Sequence, residues 1–293
     1  MFKISIGLLV ATGLMPAATV TYQYDASGRL TSAAYDNGTA VTYAYDKASN
    51  LLGRTVPGPT PQIKLNAVGN SATYTAPLVR GELATIYGSN LSLTTGSILS
   101  LPVPFTMGGV QVTVAGFPAP VYYVSPSQIN FQVPFEAPTT GNVPVVTKLY
   151  GSASPAQLVP MAEYAPGIFA YVRTAGVIDP IVVHSANYTL VTPDNPASSG
   201  EGLTIYGTGA GTFDFPPPTG AAASGSTLAQ TKITPSVTVG GAGAQVLFAG
   251  LAPGYVGLLQ INITLPPTLP SGTLPMLIQF GTTAAPQVNL YVK

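Results

Sequence analysis

His184 is the only histidine in the chain and therefore the only imidazole that acid–base chemistry could use. A Ser-His-Asp hydrolase would need it, and Asp179 and Asp194 lie near it in sequence. No Gly-x-Ser-x-Gly elbow on a strand–turn–helix accompanies it. The run Ile181-Val-Val-His-Ser is typical of a strand. We therefore expect a structural histidine and no enzyme, and keep a hydrolase that uses His184 as an alternative.

Two carboxylates, Glu82 and Glu201, occupy matching places in a repeated phrase. Gly81-Glu82-Leu-Ala-Thr-Ile-Tyr-Gly88 returns as Gly200-Glu201-Gly-Leu-Thr-Ile-Tyr-Gly207. A glycosidase needs two carboxyl groups on either side of one bond, whereas matching positions in two copies belong to two domains. Each Glu follows a Gly at the start of a strand, where a carboxylate can accept backbone N–H bonds. We expect both to be structural turn residues.

Oxygen-rich side chains offer a second kind of chemistry, because Ca²⁺ needs several oxygen ligands close together. Asp194 and Asn195, with Asp179 upstream, are the densest such group in the duplicated region, and they are the calcium candidates. They follow no calcium-loop pattern. We therefore expect no cofactor and keep calcium as an alternative.

Tyrosines supply the remaining candidate chemistry, since the chain has 16 Tyr and no Trp. Tyr122 and Tyr123, together with Tyr24 and Tyr45, could form an aromatic platform for a sugar. Alternating tyrosines also form cross-strand pairs that stabilise hairpins. The four residues are candidate binding residues, and both interpretations stay open.

Charge and composition limit the possible partners. Only 7% of the residues are charged, where about a quarter is usual. Ten basic residues balance ten acidic ones, so no basic field exists to hold phosphates and we expect no nucleic-acid partner. Cysteine is absent, which removes thiolate zinc sites. Glycine (32) and proline (29) favour short strands with many turns over long helices.

The N-terminus predicts export. Lys3 gives a positive first region, Ile4 to Leu14 form an apolar segment, and Pro16-Ala17-Ala18 offers small residues for cleavage. We assign residues 1–18 to a signal peptide, with a buried first strand as the alternative. The segment is too short to span a bilayer and no later apolar run is long enough. After signal removal we expect no transmembrane segment and an extracellular or cell-surface location.

A short tandem repeat follows the signal. Tyr22-Gln-Tyr24-Asp-Ala-Ser-Gly-Arg-Leu30 is echoed by Tyr43-Ala-Tyr45-Asp-Lys-Ala-Ser-Asn-Leu51. The alternation and the Ser-Gly or Ser-Asn turns predict two hairpins over residues 19–56. Tyr-Asp-x-x-Gly-Arg-Leu resembles the YD repeat of the RHS family, whose members build large β-shells from many copies. Two copies cannot close a shell, so we expect either a relic or a small cap on the next domain, followed by a Pro-rich linker at 57–62.

A second repeated phrase shows that one domain is present twice. Gln128-Ile-Asn-Phe-Gln-Val-Pro134 returns as Gln260-Ile-Asn-Ile-Thr-Leu-Pro266, in the same order relative to the Gly-Glu phrase. In the first copy Ile129, Phe131 and Val133 would face inward, and Asn130 and Gln132 outward. Strand signals every 8 to 12 residues predict antiparallel β-sandwiches.

The predicted fold is therefore all-β: two tandem immunoglobulin-like antiparallel sandwiches, residues 63–177 and 178–293, preceded by short N-terminal hairpins. The second copy carries extra residues from Phe213 to Thr231, which we interpret as a long surface loop. The residues that define the structural repeat are Gly81, Glu82, Gly88, Gln128 and Asn130 in the first copy and Gly200, Glu201, Gly207, Gln260 and Asn262 in the second.

Several phrases in order resemble the Solibacter-type C-terminal domain of secreted acidobacterial proteins. The clearest are Gly81 to Leu91, Tyr123 to Pro134 and Ala165-Pro-Gly-Ile-Phe-Ala170. The phrase Thr85-Ile-Tyr-Gly-Ser-Asn-Leu91 also resembles IPT/TIG domains, which are immunoglobulin-like modules of cell-surface proteins. These resemblances imply an extracellular role and no catalytic residues.

The expected function is a secreted or cell-surface, non-enzymatic binding or structural module, serving adhesion, matrix assembly or display of another domain. A carbohydrate-binding protein is the alternative. The expected partner is an extracellular protein or a polysaccharide.

Overall fold

A computed structural model describes residues 20–35, 40–55, 62–98 and 100–293. Within these ranges every regular element is a β-strand, which confirms the predicted all-β class. The chain divides into two compact units, Met1–Gln62 and Ile63–Lys293. The predicted signal peptide (1–18) and nearly all of the predicted linker (57–62) lie outside the described residues. The described part of the chain contains no helix long and apolar enough to cross a membrane.

The first unit contains a four-stranded antiparallel sheet in the order β1-β2-β3-β4, which confirms the predicted hairpins. Asp25 Oδ1 accepts the N–H groups of Ser27 and Arg29, each at 2.9 Å. Asp46 Oδ1 accepts the equivalent N–H groups in the second repeat, at 2.8 Å each. The Asp after each tyrosine therefore closes the turn of its own hairpin. The strands are β1 (Val20–Tyr24), β2 (Leu30–Tyr35), β3 (Ala40–Tyr45) and β4 (Leu51–Thr55).

The first sandwich is built from ten strands in two antiparallel sheets. One sheet has the order β5-β6-β11-β10-β7, and the other has the order β13-β12-β8-β9 with β14 also paired to β12. In chain order the strands are β5 (Lys64–Asn70), β6 (Leu83–Ser89), β7 (Gly96–Ser97), β8 (Val110–Val114), β9 (Phe117–Ala119), β10 (Val121–Val124), β11 (Gln128–Gln132), β12 (Gly141–Leu149), β13 (Ser152–Ala153) and β14 (Gln157–Met161).

The core of this sandwich follows the period of two that the sequence predicts. Ile129, Phe131 and Val133 are fully buried, and Asn130 lies half-buried on the opposite face. Gln132 was predicted to face solvent, but it is fully buried, because the second sandwich covers it. Its side-chain carbonyl accepts the N–H of Gly220 at 2.8 Å.

The second sandwich repeats this arrangement. The order is β15-β19-β22-β21-β20-β23-β24, with β18 paired to β19 and β25 to β23, so that β20 joins the two layers. The strands are β15 (Gly167–Ile168), β16 (Ala170–Thr174), β17 (Val177–Pro180), β18 (Val182–His184), β19 (Gly202–Thr208), β20 (Ser236–Val239), β21 (Ala242–Leu251), β22 (Leu259–Thr264), β23 (Gly272–Phe280), β24 (Thr283–Ala284) and β25 (Val288–Val292).

The first strand of the second copy is interrupted by a hairpin. β15 and β18 pair with β19 as the two halves of β5 pair with β6. The hairpin β16–β17 projects between the two halves. The second buried core accordingly begins at Ile168, earlier in the chain than the predicted limit of 177.

The two sandwiches pack against each other, and the segment from Phe213 to Thr231 forms much of the junction. Phe213 is buried and its ring meets Phe135 of the first sandwich edge-on at 6.3 Å. Gly220 O accepts the N–H of Val103 at 2.9 Å. This segment was predicted to be a surface loop. The segment instead lies at the junction of the two copies, where the N–H of Gly220 donates to the buried Gln132.

Candidate functional site

A turn that occurs once in each sandwich projects a tyrosine from the sheet. Asn70-Ser-Ala-Thr-Tyr74-Thr in the first copy matches His184-Ser-Ala-Asn-Tyr188-Thr in the second. Tyr74 and Tyr188 donate their N–H groups to the carbonyls of Asn70 and His184, at 2.7 and 2.8 Å. The two tyrosines have positive φ angles of 60° and 58° and are 55% and 72% exposed.

Left-handed backbone at a bulky residue costs about 1–3 kcal/mol and persists only where the surrounding structure imposes it. Both tyrosines of the duplicated turn adopt this unfavourable conformation. This repeated outlier marks the turn as a candidate functional feature.

A row of uncharged polar side chains lies beside this turn, on the side of the first sandwich that faces away from its core. Ser71 and Thr85 are buried, whereas Gln128 and Asn130 are half-buried. Thr85 Oγ1 lies 2.8 Å from Ser71 Oγ and 3.1 Å from Asn130 Oδ1. The same Asn130 oxygen accepts a hydrogen bond from Gln128 Nε2 at 2.8 Å. The donors and acceptors of the row therefore hold one another in fixed orientations.

The second sandwich carries the same row. Ser185 Oγ lies 3.0 Å from Thr204 Oγ1, and Gln260 Nε2 donates to Asn262 Oδ1 at 3.0 Å. Gln128, Asn130, Gln260 and Asn262 were predicted only as repeat residues. In the structure they are half-buried amides on the outward face of each copy.

A second tyrosine flanks the row in each copy. Tyr87 lies opposite Gln128, and Tyr206 lies opposite Gln260. The rings of Tyr74 and Tyr87 are 5.8 Å apart and tilted by 53°. Burial raises the pKa of the Tyr87 phenol, and the nearby Tyr74 phenol adds to the effect. Burial likewise raises the pKa of Tyr206, with smaller contributions from Tyr188 and from Tyr255.

A β-bulge in β10 brings a third tyrosine of the first sandwich to the same face. The register shifts between Val121 and Tyr123, and Tyr123 pairs with Asn130. Tyr122 lies in this bulge. Burial raises the pKa of the Tyr122 phenol; the nearby Ser71 opposes this shift, and the Glu82 carboxyl and the Tyr74 phenol add to it.

The second sandwich has the equivalent bulge but different side chains in it. The register of β21 shifts between Val246 and Phe248, and Phe248 pairs with Asn262. Leu247 and Phe248 therefore stand where the first copy has Tyr122 and Tyr123. The third tyrosine of the second copy is instead Tyr255, which is 60% exposed.

We call the resulting surface the tyrosine face. Tyr122 of the first copy and Tyr255 of the second both line a cleft of about 380 Å³ at the junction of the two sandwiches. The remaining four members extend from this cleft over the outer face of each copy. The tyrosine face comprises Tyr74, Tyr87, Tyr122, Tyr188, Tyr206 and Tyr255.

The other predicted binding tyrosines are placed elsewhere. Tyr123 is half-buried beside Tyr122. Tyr24 and Tyr45 belong to the N-terminal unit, whereas the tyrosine face belongs to the second unit. The Arg29 guanidinium lies over the ring of Tyr45 at 5.0 Å from its centre, and the Tyr45 hydroxyl donates to Leu30 O at 3.0 Å. Arg29 thus already occupies one face of the Tyr45 ring.

The two repeated glutamates hold the same backbone turn. Glu82 accepts the N–H of Val79 at 3.0 Å, and Glu201 accepts the N–H of Ser198 at 2.8 Å. Glu82 also accepts a hydrogen bond from Asn70 Nδ2 at 2.7 Å. Burial raises the pKa of Glu82 well above its ordinary value, although both hydrogen bonds oppose the shift.

His184 is the second partner of Glu201. Its Nδ1 lies 2.5 Å from Glu201 Oε1, and its Nε2 lies 3.2 Å from Asn195 O. Burial alone would raise the pKa of Glu201, but the Ser198 N–H and then His184 lower it below the ordinary value. Because both ring nitrogens of His184 face oxygen atoms, neither is directed at a serine hydroxyl.

The calcium candidates do not converge on one point. Asp179 is buried, with Arg173 Nε 2.5 Å from its Oδ2 and the Tyr291 hydroxyl donating to its Oδ1 at 2.8 Å. Asp194 is exposed, and Asn195 donates its amide to Thr189 Oγ1 and Leu190 O. Across the described ranges, no three His, Asp or Glu side chains are grouped to hold a metal ion. The calcium alternative stays untested.

The repeated glycines allow close backbone packing. A Cβ at Gly88 would lie 2.1 Å from Lys64 O, and one at Gly207 would lie 2.4 Å from Gly167 O, so the neighbouring strand leaves no space for a side chain. Gly81 and Gly200 both adopt positive φ immediately before the glutamates.

Sequence reasoning missed Tyr74, Tyr87, Tyr188, Tyr206 and Tyr255. The repeated Ser-Ala-x-Tyr-Thr phrase and the tyrosine shared by both Thr-Ile-Tyr-Gly phrases carry the signal for four of them. Tyr255 has no counterpart in the first copy.

Comparison with known families supports the fold. The IPT/TIG domain matches residues 69–159, and the RHS Repeat matches residues 24–60. The chain thus carries an immunoglobulin-like IPT/TIG domain and an RHS repeat. The resemblance to the acidobacterial family stays a prediction. No curated protein matches the sequence.

Two solved structures show distant similarity. One is a Bacteroides ovatus surface protein of a mixed-linkage glucan utilization locus, SGBP-B, in complex with a mixed-linkage heptasaccharide. It is 14% identical, the match covers 94% of this chain and 61% of that one, and the TM-score is 0.34. The other is the surface layer protein SbsC, domains 4–9, with 13% identity, coverage of 97% and 43%, and a TM-score of 0.21. This chain spans less than two thirds of the length of either structure.

Proposed function

We propose that this protein is a non-enzymatic, extracellular binding module that holds a neutral polysaccharide along its tyrosine face. One observation carries the proposal: each sandwich presents an exposed tyrosine in strained backbone beside an ordered pair of half-buried amides, and Tyr122 and Tyr255 of the two copies line one cleft. A duplicated site continued across a packed junction suits a ligand that is itself long and repetitive.

The chemistry of the face fits a sugar chain. A pyranose ring has apolar C–H faces, which bury favourably against an aromatic ring, and polar edges, which need hydrogen-bond partners. Carboxamides supply both a donor and an acceptor in one plane. Tyr188 provides the first kind of contact, and Gln260 and Asn262 provide the second.

The charge of the face favours a neutral ligand. Its tyrosines, amides and hydroxyls are all uncharged, and Glu82, whose carboxyl contributes to the raised pKa of Tyr122, is buried. An acidic polymer would find no arginine or lysine in the polar rows to pair with its carboxylates or sulfates.

The absence of a catalytic role is part of the proposal. The contacts of His184 and of the two repeated glutamates, described above, support structural duties for the groups that a hydrolase would need. Export rests on the predicted signal at residues 1–18. Retention of a polysaccharide would serve adhesion, matrix assembly or display of an attached domain.

Affinity electrophoresis of the purified protein through gels that contain neutral polysaccharides, such as β-glucan, xylan or mannan, tests the proposal. We expect at least one to retard the protein. Tyr188→Ala should weaken that binding roughly tenfold, the loss expected for an aromatic contact worth about 1.4 kcal/mol.

Tyr150→Ala is the matched control. Tyr150 is 68% exposed and also has positive φ, but it lies between β12 and β13 on the opposite sheet. We expect its removal to leave binding unchanged. If no polysaccharide retards the protein while it binds whole cells or itself, the ligand is a protein and the proposal is wrong.

A further inference from the structure

The cleft between the two sandwiches differs in chemistry from the polar rows that lead to it. Leu83, Leu101 and Val103 of the first copy and Val256 of the second form its walls. Tyr122 and Tyr255 stand beside them and also belong to the tyrosine face. A ligand on the face therefore passes directly over an apolar cavity.

This cavity does not suit an unsubstituted sugar ring. Among the described residues that line it, the side chains with polar atoms are Ser100, which is exposed, and the two tyrosines. The hydroxyls of a sugar ring would find few hydrogen-bond partners on these walls, so the cleft favours an apolar group over an unsubstituted sugar.

The size and shape of the cavity favour an aromatic group. An apolar cavity of roughly 150 Å³ is enough to bind benzene, and this cleft measures about 380 Å³. An acetyl group would leave most of that space unfilled. A ring placed in the cleft would lie near two tyrosines, Tyr122 and Tyr255, and aromatic rings associate favourably at edge-on or offset geometries.

We propose that the cleft receives an aromatic acyl group ester-linked to the polysaccharide on the tyrosine face, such as a benzoyl or hydroxycinnamoyl substituent. This inference rests on the proposed function. The polar rows bind the sugar backbone, and the cleft gives a preference for chains that carry aromatic esters.

One polymer prepared in three forms tests the inference. The backbone that the unmodified protein binds best is used as such, after partial acetylation, and after benzoylation to the same degree. We expect the benzoylated form to bind at least roughly tenfold tighter than the other two, because a ring-sized apolar surface leaves water.

Leu101→Asp places a charge in the cavity wall and should abolish that preference. Leu101 is 49% exposed, so the protein should tolerate the change, and Leu93→Asp, at a residue that is 65% exposed and does not line the cleft, is the control that should retain it. A thermal shift with methyl benzoate gives a second readout, which Leu101→Asp should remove and Leu93→Asp should preserve.

The outcomes separate the two proposals. Equal binding of all three polymers, or a preference that Leu101→Asp leaves intact, overturns the aromatic-ester inference and leaves polysaccharide binding standing. Failure of every polymer to bind overturns both.

Discussion

Gly209 is the position at which one methyl group should loosen the second sandwich from the first. Its φ is +82°, and a Cβ there would lie 2.1 Å from Ala165 O and 2.8 Å from Asn70 Nδ2. Ala165 is in turn held by two hydrogen bonds: its N–H donates to Gly209 O at 3.0 Å, and its carbonyl accepts from Asn70 Nδ2 at 3.1 Å. The methyl group of Gly209→Ala would therefore collide with Ala165, which lies between β14 and β15 and hydrogen-bonds to both copies.

Gly241→Ala is the matched control. Gly241 has the same φ of +82°, but no atom lies within 4 Å of the position that its Cβ would take. Both variants carry the cost of left-handed backbone, about 1–2 kcal/mol. Gly209→Ala should add about 1–3 kcal/mol for overpacking and about 1 kcal/mol for each hydrogen bond that it breaks.

Differential scanning calorimetry measures the difference. For a unit of this size each kcal/mol corresponds to about 2–4 °C. Gly241→Ala should lower Tm by about 2–8 °C, and Gly209→Ala should lower it by at least about 5 °C more. The second variant should also broaden or split the transition as the two sandwiches uncouple. Equal shifts and equal peak shapes would refute the claim that this contact couples the copies.

Three further perturbations follow from the buried polar contacts. Burial raises the pKa of Glu82 above its ordinary value of 4.5, so the stability that Glu82 contributes is lost as pH rises from 4.5 towards the folded-state pKa. The pKa of Glu201 is lowered below 4.5, so the stability that Glu201 contributes is lost as pH falls from 4.5 towards the folded-state pKa. Chemical denaturation from pH 3 to 8 should therefore show opposite changes of slope for Glu82→Gln and Glu201→Gln, and slopes of the same sign would contradict this. Gln132→Ala should cost about 1–3 kcal/mol, because it leaves a buried N–H of the second sandwich unpaired, while Thr264→Ala at the matching position should cost less; urea denaturation compares them. Asn70→Asp and Glu82→Gln should each destabilise the protein but partly rescue one another when combined, and a double-mutant cycle with no coupling would argue against their hydrogen bond.

The positions of the strands and the duplication of the sandwich could both be predicted from the sequence, because alternation and repeated phrases are visible along the chain. The alternation of Ile129, Phe131 and Val133 with polar residues predicts which side meets the core, because successive side chains on a strand point to opposite faces. The repeated phrases predict two copies of one sandwich. The Tyr-Asp repeats predict hairpins, since the Asp and the Gly or Asn that follow it encode a turn within five residues.

The candidate site was only partly predictable. Tyr122 was among the predicted binding residues, yet its neighbours on the tyrosine face were not. Tyr74 and Tyr188 project from turns whose importance is visible only when their positive φ angles are known. Tyr255 lies far from Tyr122 in sequence, and the cleft between them exists because two domains pack together.

The sequence by itself therefore determined the all-β class, the tandem sandwiches and the low charge, because each depends on composition, on a repeated phrase or on a period of two. Only the tertiary structure decided that Gln132 is buried, that the segment from Phe213 to Thr231 seals a junction, and that the two tyrosine clusters form one face. The physical reason is that packing between domains depends on the fit of two complete surfaces, and no local pattern along the chain records that fit.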